Sequence, residues 1–260
     1  MTAAGPTFAP VESALSLPSH RLALDKPLAA GDILAIFAAA RRLQAHAHAG
    51  TIGKPLHGKN IALLLGRSPS GETSALHRAA LELGARVAEV PFAEPAGVSG
   101  RDDIRGLARM LRRMYDAIDC GTLAAVTVRQ IEQEAAGVPV YAGLALEDHL
   151  VQVLADLMTL CDHRPPSASK ASKPSILYLG DPRTKRGRAF LAAARQIGFE
   201  VRLGQRLQAA SNDATIFVVD ATHHPRWALH SPSSMLDEAR RSETHRRVMQ
   251  AVLLDTIERV

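Results

Sequence analysis

The sequence predicts an α/β protein built from two parallel-sheet domains, the second of them reduced. Three observations carry that expectation. Short continuous apolar runs, Ile61-Ala62-Leu63-Leu64-Leu65 and Ile176-Leu177-Tyr178-Leu179, read as strands buried on both faces. Segments with helical apolar spacing alternate with such runs, which is the order a parallel sheet with crossover helices needs. Residues 162–174 hold Pro165-Pro166 among serines, alanines and lysines, and read as a linker between two units.

The elements follow in order. Residues 1–20, rich in Ala, Pro and Ser, form a loose arm. A helix with Ile33, Ile36, Phe37, Ala40 and Leu43 on one face begins at Asp32, its expected N-cap. The strand at Ile61–Leu65 leads through a loop to a helix carrying Leu76, Ala79, Ala80 and Leu83, which stops at Gly84. Val87–Val90 is a second strand, and a helix with Ile104, Leu107, Ala108, Leu111 and Tyr115 follows. Ala117-Ile118 and Val138–Tyr141 are the third and fourth strands, and Leu146–Cys161 is a long helix. After the linker come the strand at Ile176–Leu179, a helix ending at Gly198, strands at Val201–Leu203 and Ile216–Val219, and a last helix from Ser242. The domain plan is therefore an arm at 1–20, a first domain at 21–150, and a connecting helix and linker at 151–174. A second domain at 175–241 and a C-terminal helix at 242–260, packed back on the first domain, complete it.

Composition excludes several classes. The 260 residues are 47% hydrophobic, enough for a real core and too many for a disordered chain. No run of apolar residues is long enough to span a bilayer. Two cysteines, Cys120 and Cys161, argue against a disulfide scaffold and suit a reducing cytoplasm. The N-terminus lacks a basic segment followed by an apolar one, so the expected location is cytoplasmic. The net charge is +5, but the arginine pairs 41-42, 112-113, 240-241 and 246-247 sit in helical patterns and read as solvated faces. With only one Trp, three Tyr and six Phe, stacking platforms for nucleic acid are poorly supplied, so nucleic acid is not an expected partner.

Three segments can carry chemistry. Ser70, Thr73 and Ser74 lie between a buried strand and a helix, where unpaired amides and the helix dipole suit a phosphate. Simple capping explains the same residues, and Glu72 is a poor neighbour for an anion. His149, Gln152 and Asp156 fall on one edge of the long helix at about 100° per residue. That edge either lines a cleft, where His149 can polarise a carbonyl, or meets water. Gly180–Arg188 crowds Arg183, Lys185, Arg186 and Arg188 at a strand-to-helix turn, as an anion site or a solvated loop, without the dinucleotide glycine spacing. His46 and His48 diverge on a helix and His223-His224 are adjacent, so no metal is expected.

Five segments in order resemble the aspartate/ornithine carbamoyltransferase family over residues 20–258. They are Asp102–Leu111 with Asp116-Ala117-Ile118, then Gly137–Leu144, and the pair His149-Leu150-Val151-Gln152 and Leu154-Ala155-Asp156-Leu157. Gly180-Asp181 and Ser231–Ser234 with the final helix complete the series. The resemblance implies two parallel α/β domains joined by helices, a homotrimer, and carbamoyl transfer from carbamoyl phosphate to an amino-acid amine without a cofactor. It implies that His149 and Gln152 face the reacting group, with Ser70, Thr73 and Arg226 contacting substrate, and Arg186 of the basic turn is a further candidate for that contact.

The departures from the family pattern are specific. Its Ser-Thr-Arg-Thr-Arg phosphate loop stands here as Ser70-Gly71-Glu72-Thr73-Ser74, with both arginines gone. The arginine expected after the third strand falls on Gly121 or a neighbour, where none exists, and the proline after the histidine is Leu150. Thr222-His223-His224-Pro225-Arg226 replaces the His-Cys-Leu-Pro stretch, and Arg240 or Arg241 stands for the late arginine before the last helix. Only twelve residues separate Leu203 from Ile216, where the family places further strands and helices. Losing one charge-assisted partner of a phosphate costs about 1.5–3 kcal/mol. The sequence therefore leads to a degenerate homologue, a pseudoenzyme that binds a small ligand or assembles with an active paralogue. The alternative is a divergent carbamoyltransferase for an amino-acid or related amine. Glu72→Arg is expected to tighten carbamoyl phosphate binding in calorimetry, and an unchanged affinity would undo the loop alignment.

Overall fold

The computed structural model describes residues 28–66, 74–93, 100–163, 174–204, 216–223, 226–231 and 234–257. The arm at 1–20, residues 164–173 of the linker, and Arg67, Ser70, Glu72 and Thr73 of the loop lie outside the described residues. The first sheet holds β1 (Asn60–Leu65), β2 (Arg86–Pro91), β3 (Ala117–Asp119) and β4 (Val140–Tyr141), all parallel, in the order β2-β1-β3-β4. Along β1 the side chains alternate between two cores. Ile61 and Leu63 join the core that runs through both domains, while Ala62 and Leu64 join a second one under α3 (Gly100–Met114) and α4 (Ala125–Glu134). That alternation is why the run is apolar at every position rather than at every second one.

The second sheet repeats the plan with β5 (Ser175–Leu179), β6 (Glu200–Gly204), β7 (Ile216–Asp220) and β8 (Ala228–His230), in the order β6-β5-β7-β8. Its first three strands are parallel and β8 returns antiparallel, pairing Val218 with His230. The connection from β7 to β8 is too short for the crossover of a dozen or so residues that a parallel return needs. β8 has only three residues, and α4 buries only Thr127 and Ile131, so neither leaves a periodic signal in the sequence.

Three helix starts differ from the sequence reading. α1 (Ala30–His48) begins at Ala30, so Asp32 lies inside its first turn and is not the cap. α7 (Glu238–Ile257) begins four residues before Ser242, because the Asp237 carboxylate accepts the Ala239 N–H at 3.0 Å and caps the helix there. α5 (Leu150–Asp162) begins after His149 rather than at Leu146. The segment before it turns instead, with Leu146 N–H donating to the Gly143 carbonyl and His149 N–H to the Leu146 carbonyl.

α5 and α7 pack side by side, and α7 also packs on α1 and α2 (Ala75–Glu82). Every residue of α5 from Leu150 to Leu160 is buried, so its polar side chains must find partners inside the protein. α7 ties itself to α2 by Arg246 and Arg247 on Glu82, at 3.1 and 2.9 Å, and by Gln250 donating to the Ala79 carbonyl. Arg247→Ala is expected to lower stability by about 1–3 kcal/mol in urea unfolding, a partial loss because Arg246 still reaches Glu82. A wild-type transition in that variant would contradict the tie between α7 and α2.

Candidate functional site

Open α/β sheets place ligands beyond the carboxyl ends of the strands, where the strand order reverses. In the first sheet that point lies between β1 and β3. Gly121, just past β3, has φ +51°, and a Cβ on it would stand 2.9 Å from the Leu64 carbonyl oxygen. The segment where the family resemblance sets an arginine thus opens with a left-handed glycine pressed against β1. Asp119, at the end of β3, accepts the N–H groups of Gly143 and Leu144 at 3.0 and 2.9 Å and that of Gly121 at 3.3 Å. Burial pushes its carboxyl up to about 6, against those three hydrogen bonds.

The edge of α5 proposed from the sequence does not meet water. His149, Gln152 and Asp156 are all buried, and Asp156 is 0% exposed. His149 is the N-cap rather than a residue of the helix, and its Nδ1 accepts the Val151 N–H at 3.2 Å. The helical-wheel relation therefore holds for Gln152 and Asp156, one turn apart, and not for the histidine. Gln152 Nε2 donates to Asp156 Oδ1 at 2.9 Å.

Asp156 collects two arginines. Arg186, in the first turn of α6 (Lys185–Gln196), reaches Asp156 Oδ2 at 3.0 Å and is 1% exposed. Arg241, from the first turn of α7, reaches Asp156 Oδ1 at 2.7 Å and also donates to the Trp227 carbonyl. Burial works against the Arg241 charge, but Asp156 and Glu238 outweigh it and hold its pKa above the ordinary value. The Arg186 guanidinium lies 4.1 Å from the centroid of the Trp227 ring, and Trp227 meets Tyr178 and Phe190 edge to face. Trp227 is the chain's one tryptophan.

In front of this network a cleft of ≈350 Å³ is lined by Glu147, Gln152, Arg226, Trp227, Glu238 and Arg241. Of the residues singled out in the sequence, Gln152, the exposed Arg226 and Arg241 thus line one cleft. Arg186 stands behind its wall on Trp227, and His149 sits at the start of α5. Arg183 and Lys185 of the basic turn are exposed, and Arg188 bonds the Arg183 carbonyl. Glu147, Trp227 and Glu238 escaped the sequence reading, although a lone tryptophan beside Arg226 was a usable signal. Among the described residues no cluster of His, Cys, Asp and Glu fits a metal ion. No described helix is long and apolar enough to cross a membrane.

His245 of α7 faces the same charges. Burial depresses its pKa to about 4, and Arg241 and Arg186 add to that while Asp156 opposes it. Its folded value lies below the ordinary 6.5, so the unfolded chain takes up the proton first. Its contribution to stability is present above pH 6.5 and is lost as pH falls towards 4. Asp119 acts oppositely, since its folded value is raised: its contribution is full below 3.8 and is lost as pH rises through about 6. His245→Gln should therefore lose less stability than the wild type between pH 7 and 5 in urea titrations. An equal loss would mean that His245 is not held neutral in the fold.

Comparison with known proteins fits this architecture. Residues 22–162 match the model of the aspartate/ornithine carbamoyltransferase carbamoyl-P binding domain. The catabolic ornithine carbamoyltransferase of Chromobacterium violaceum is 34% identical over 166 residues, 63% of this chain. The chain spans about half of that relative, 48% of its length. Among solved structures, the catalytic subunit of M. jannaschii aspartate transcarbamoylase superposes with a TM-score of 0.63 at 16% identity, covering 89% of this chain and 96% of its own. Ornithine carbamoyltransferase from Gloeobacter violaceus gives a TM-score of 0.57 at 20% identity, covering 91% and 97%. At those identities the structures speak to the fold, while the family model covers more than half of the chain. Two α/β domains of this fold, with α5 between them, follow from the sequence match and the architecture together: the chain belongs to the aspartate/ornithine carbamoyltransferase family.

Proposed function

We propose that this protein is a carbamoyltransferase-family homologue that does not run ordinary carbamoyl-phosphate-dependent transfer and acts as a binding protein. One observation carries the reading: the cations around the interdomain cleft are already answered by carboxylates. Arg186 and Arg241 share Asp156, Arg241 also meets Glu238 at 3.4 Å, and Glu147 lies 3.9 Å from Arg186. The two lining arginines, Arg226 and Arg241, equal in number the two lining glutamates, so the lining carries no net positive charge for a phosphate dianion. The lack of an arginine at Gly121, and Glu72 in the loop, support the same reading. Carbamoyl transfer depends on positioning and on stabilising charge, so a site without that surplus loses its main catalytic means. Assembly as a trimer, alone or with an active paralogue, belongs to the same proposal and rests on the family resemblance.

The persistence of His149 and Gln152 at the start of α5 favours a second reading, a divergent carbamoyltransferase for an unusual amine. Here Ser70 and Thr73 with Gln152 would hold the donor, His149 would polarise its carbonyl, and Arg186 and Arg226 would assist. Titration of carbamoyl phosphate, followed by calorimetry and by Trp227 fluorescence, separates the two. The binding-protein reading expects no saturation below roughly 10 mM, about −2.7 kcal/mol of affinity. Millimolar or tighter binding that His149→Ala abolishes, or a carbamoylated product from ornithine or aspartate, would establish the second.

A further inference from the structure

We propose that Asp119 is a positioning residue, whose buried carboxylate clamps the turn after β3 to the turn after β4 and so sets where α5 begins. The geometry carries this. Asp119 Oδ1 takes two consecutive amides, those of Gly143 and Leu144, and Oδ2 takes the amide of Gly121. Gly143 has φ +77°, and a Cβ on it would stand 2.6 Å from the Gly121 carbonyl oxygen, so the two turns are in direct contact. From there an unbroken series of hydrogen bonds reaches the helix. Leu146 N–H donates to the Gly143 carbonyl at 2.9 Å, and His149 N–H donates to the Leu146 carbonyl at 3.0 Å. Gln152 N–H then donates to the His149 carbonyl at 3.1 Å. Each link fixes the next, so the carboxylate of β3 governs the placement of His149 and Gln152, which it does not touch.

The groups that bond Asp119 are backbone amides. Burial raises its carboxyl, and the amides of Leu144, Gly121 and Gly143 lower it. Its titratable neighbours are Cys120, the residue just after β3, and Tyr141 on β4, and burial first, then Asp119, pushes both upward. Glu132 of α4 raises Cys120, and Asp255 of α7 raises Tyr141. A protonated carboxyl keeps one full acceptor oxygen and turns the other into a donor, which the Gly121 amide cannot use. The bond to the Gly121 amide therefore changes near pH 6, where this carboxyl titrates, while the bonds to Gly143 and Leu144 persist on the other oxygen.

The functional weight of the clamp rests on the reading of the α5 start as part of the site, but its test needs no ligand. Amide exchange and amide shifts are recorded by NMR on the full chain, for the wild type, Asp119→Ala and Asp119→Asn. Asp119→Ala should speed exchange at Leu146 and His149 by about tenfold or more, a change confined to the 143–149 turn. Asp119→Asn keeps the shared acceptor for Gly143 and Leu144 and should restore most of the protection. In the wild type the Gly143 and Leu144 amide shifts should follow pH with a midpoint of about 6, and in Asp119→Asn they should be flat. That titration stands even if the alanine variant fails to fold. Unchanged exchange in Asp119→Ala, or wild-type shifts with no such midpoint, would overturn the proposal. Failure of Gln152→Ala to alter ligand binding, with the clamp data intact, would instead count against the site reading alone.

Discussion

A carboxylate with no access to water must be answered by positive charge and by hydrogen bonds, and Asp156 is answered from three helices at once. Gln152 lies one turn before it on α5, Arg186 comes from α6, and Arg241 comes from α7. Moving a carboxylate out of water costs several kcal/mol even after relaxation, so the buried group persists only because both guanidiniums reach it. The same contact fixes the start of α6 and the start of α7 against the helix between the domains. Trp227 is then held between the Arg186 guanidinium and the rings of Tyr178 and Phe190, and it forms the wall of the cleft. The shape of the cleft and its charge balance both follow from this one carboxylate.

This arrangement has a chemical consequence. An arginine engaged at short range by a buried carboxylate is a structural cation, and an incoming anion would have to compete with that partner. Arg241 is further engaged by Glu238 and by the Trp227 carbonyl. α7 carries the constraint onward to the first domain, where Arg246 and Arg247 hold Glu82 of α2. One helix thus links the cleft wall to the packing of the first sheet, and changes in either are felt along it.

Much of the fold was legible in the sequence because the strands at the centres of the two sheets are buried on both faces. After their first residues, Asn60 and Ser175, β1 and β5 are apolar without a break, and helical spacing marks α1, α2, α3 and α6. What escaped was set by partners rather than by pattern. The start of α5 was misplaced because Leu144 and Leu146 extend the apolar spacing, while the actual boundary is a cap made by His149. α4 and β8 were missed because each buries little. At the site, Gln152 and Asp156 were visible as neighbours on one helix edge. The arginines that meet Asp156 lie 30 and 85 residues further along the chain, and no local pattern announces such pairings. Arg186 shows the difference most clearly: four cations in one turn suggested an anion site, and the fold turned one of them inward.

The pairing of Asp156 with both arginines is tested most directly by double-mutant cycles in urea unfolding, combining Asp156→Asn with Arg186→Gln and, separately, with Arg241→Gln. Residues in one buried charge network couple by about 0.5–3 kcal/mol, whereas independent sites add within about 0.3–0.5 kcal/mol. The account predicts coupling above about 1.5 kcal/mol in both cycles, with each double variant less destabilised than the sum of its singles. Additive single effects in either cycle would contradict it.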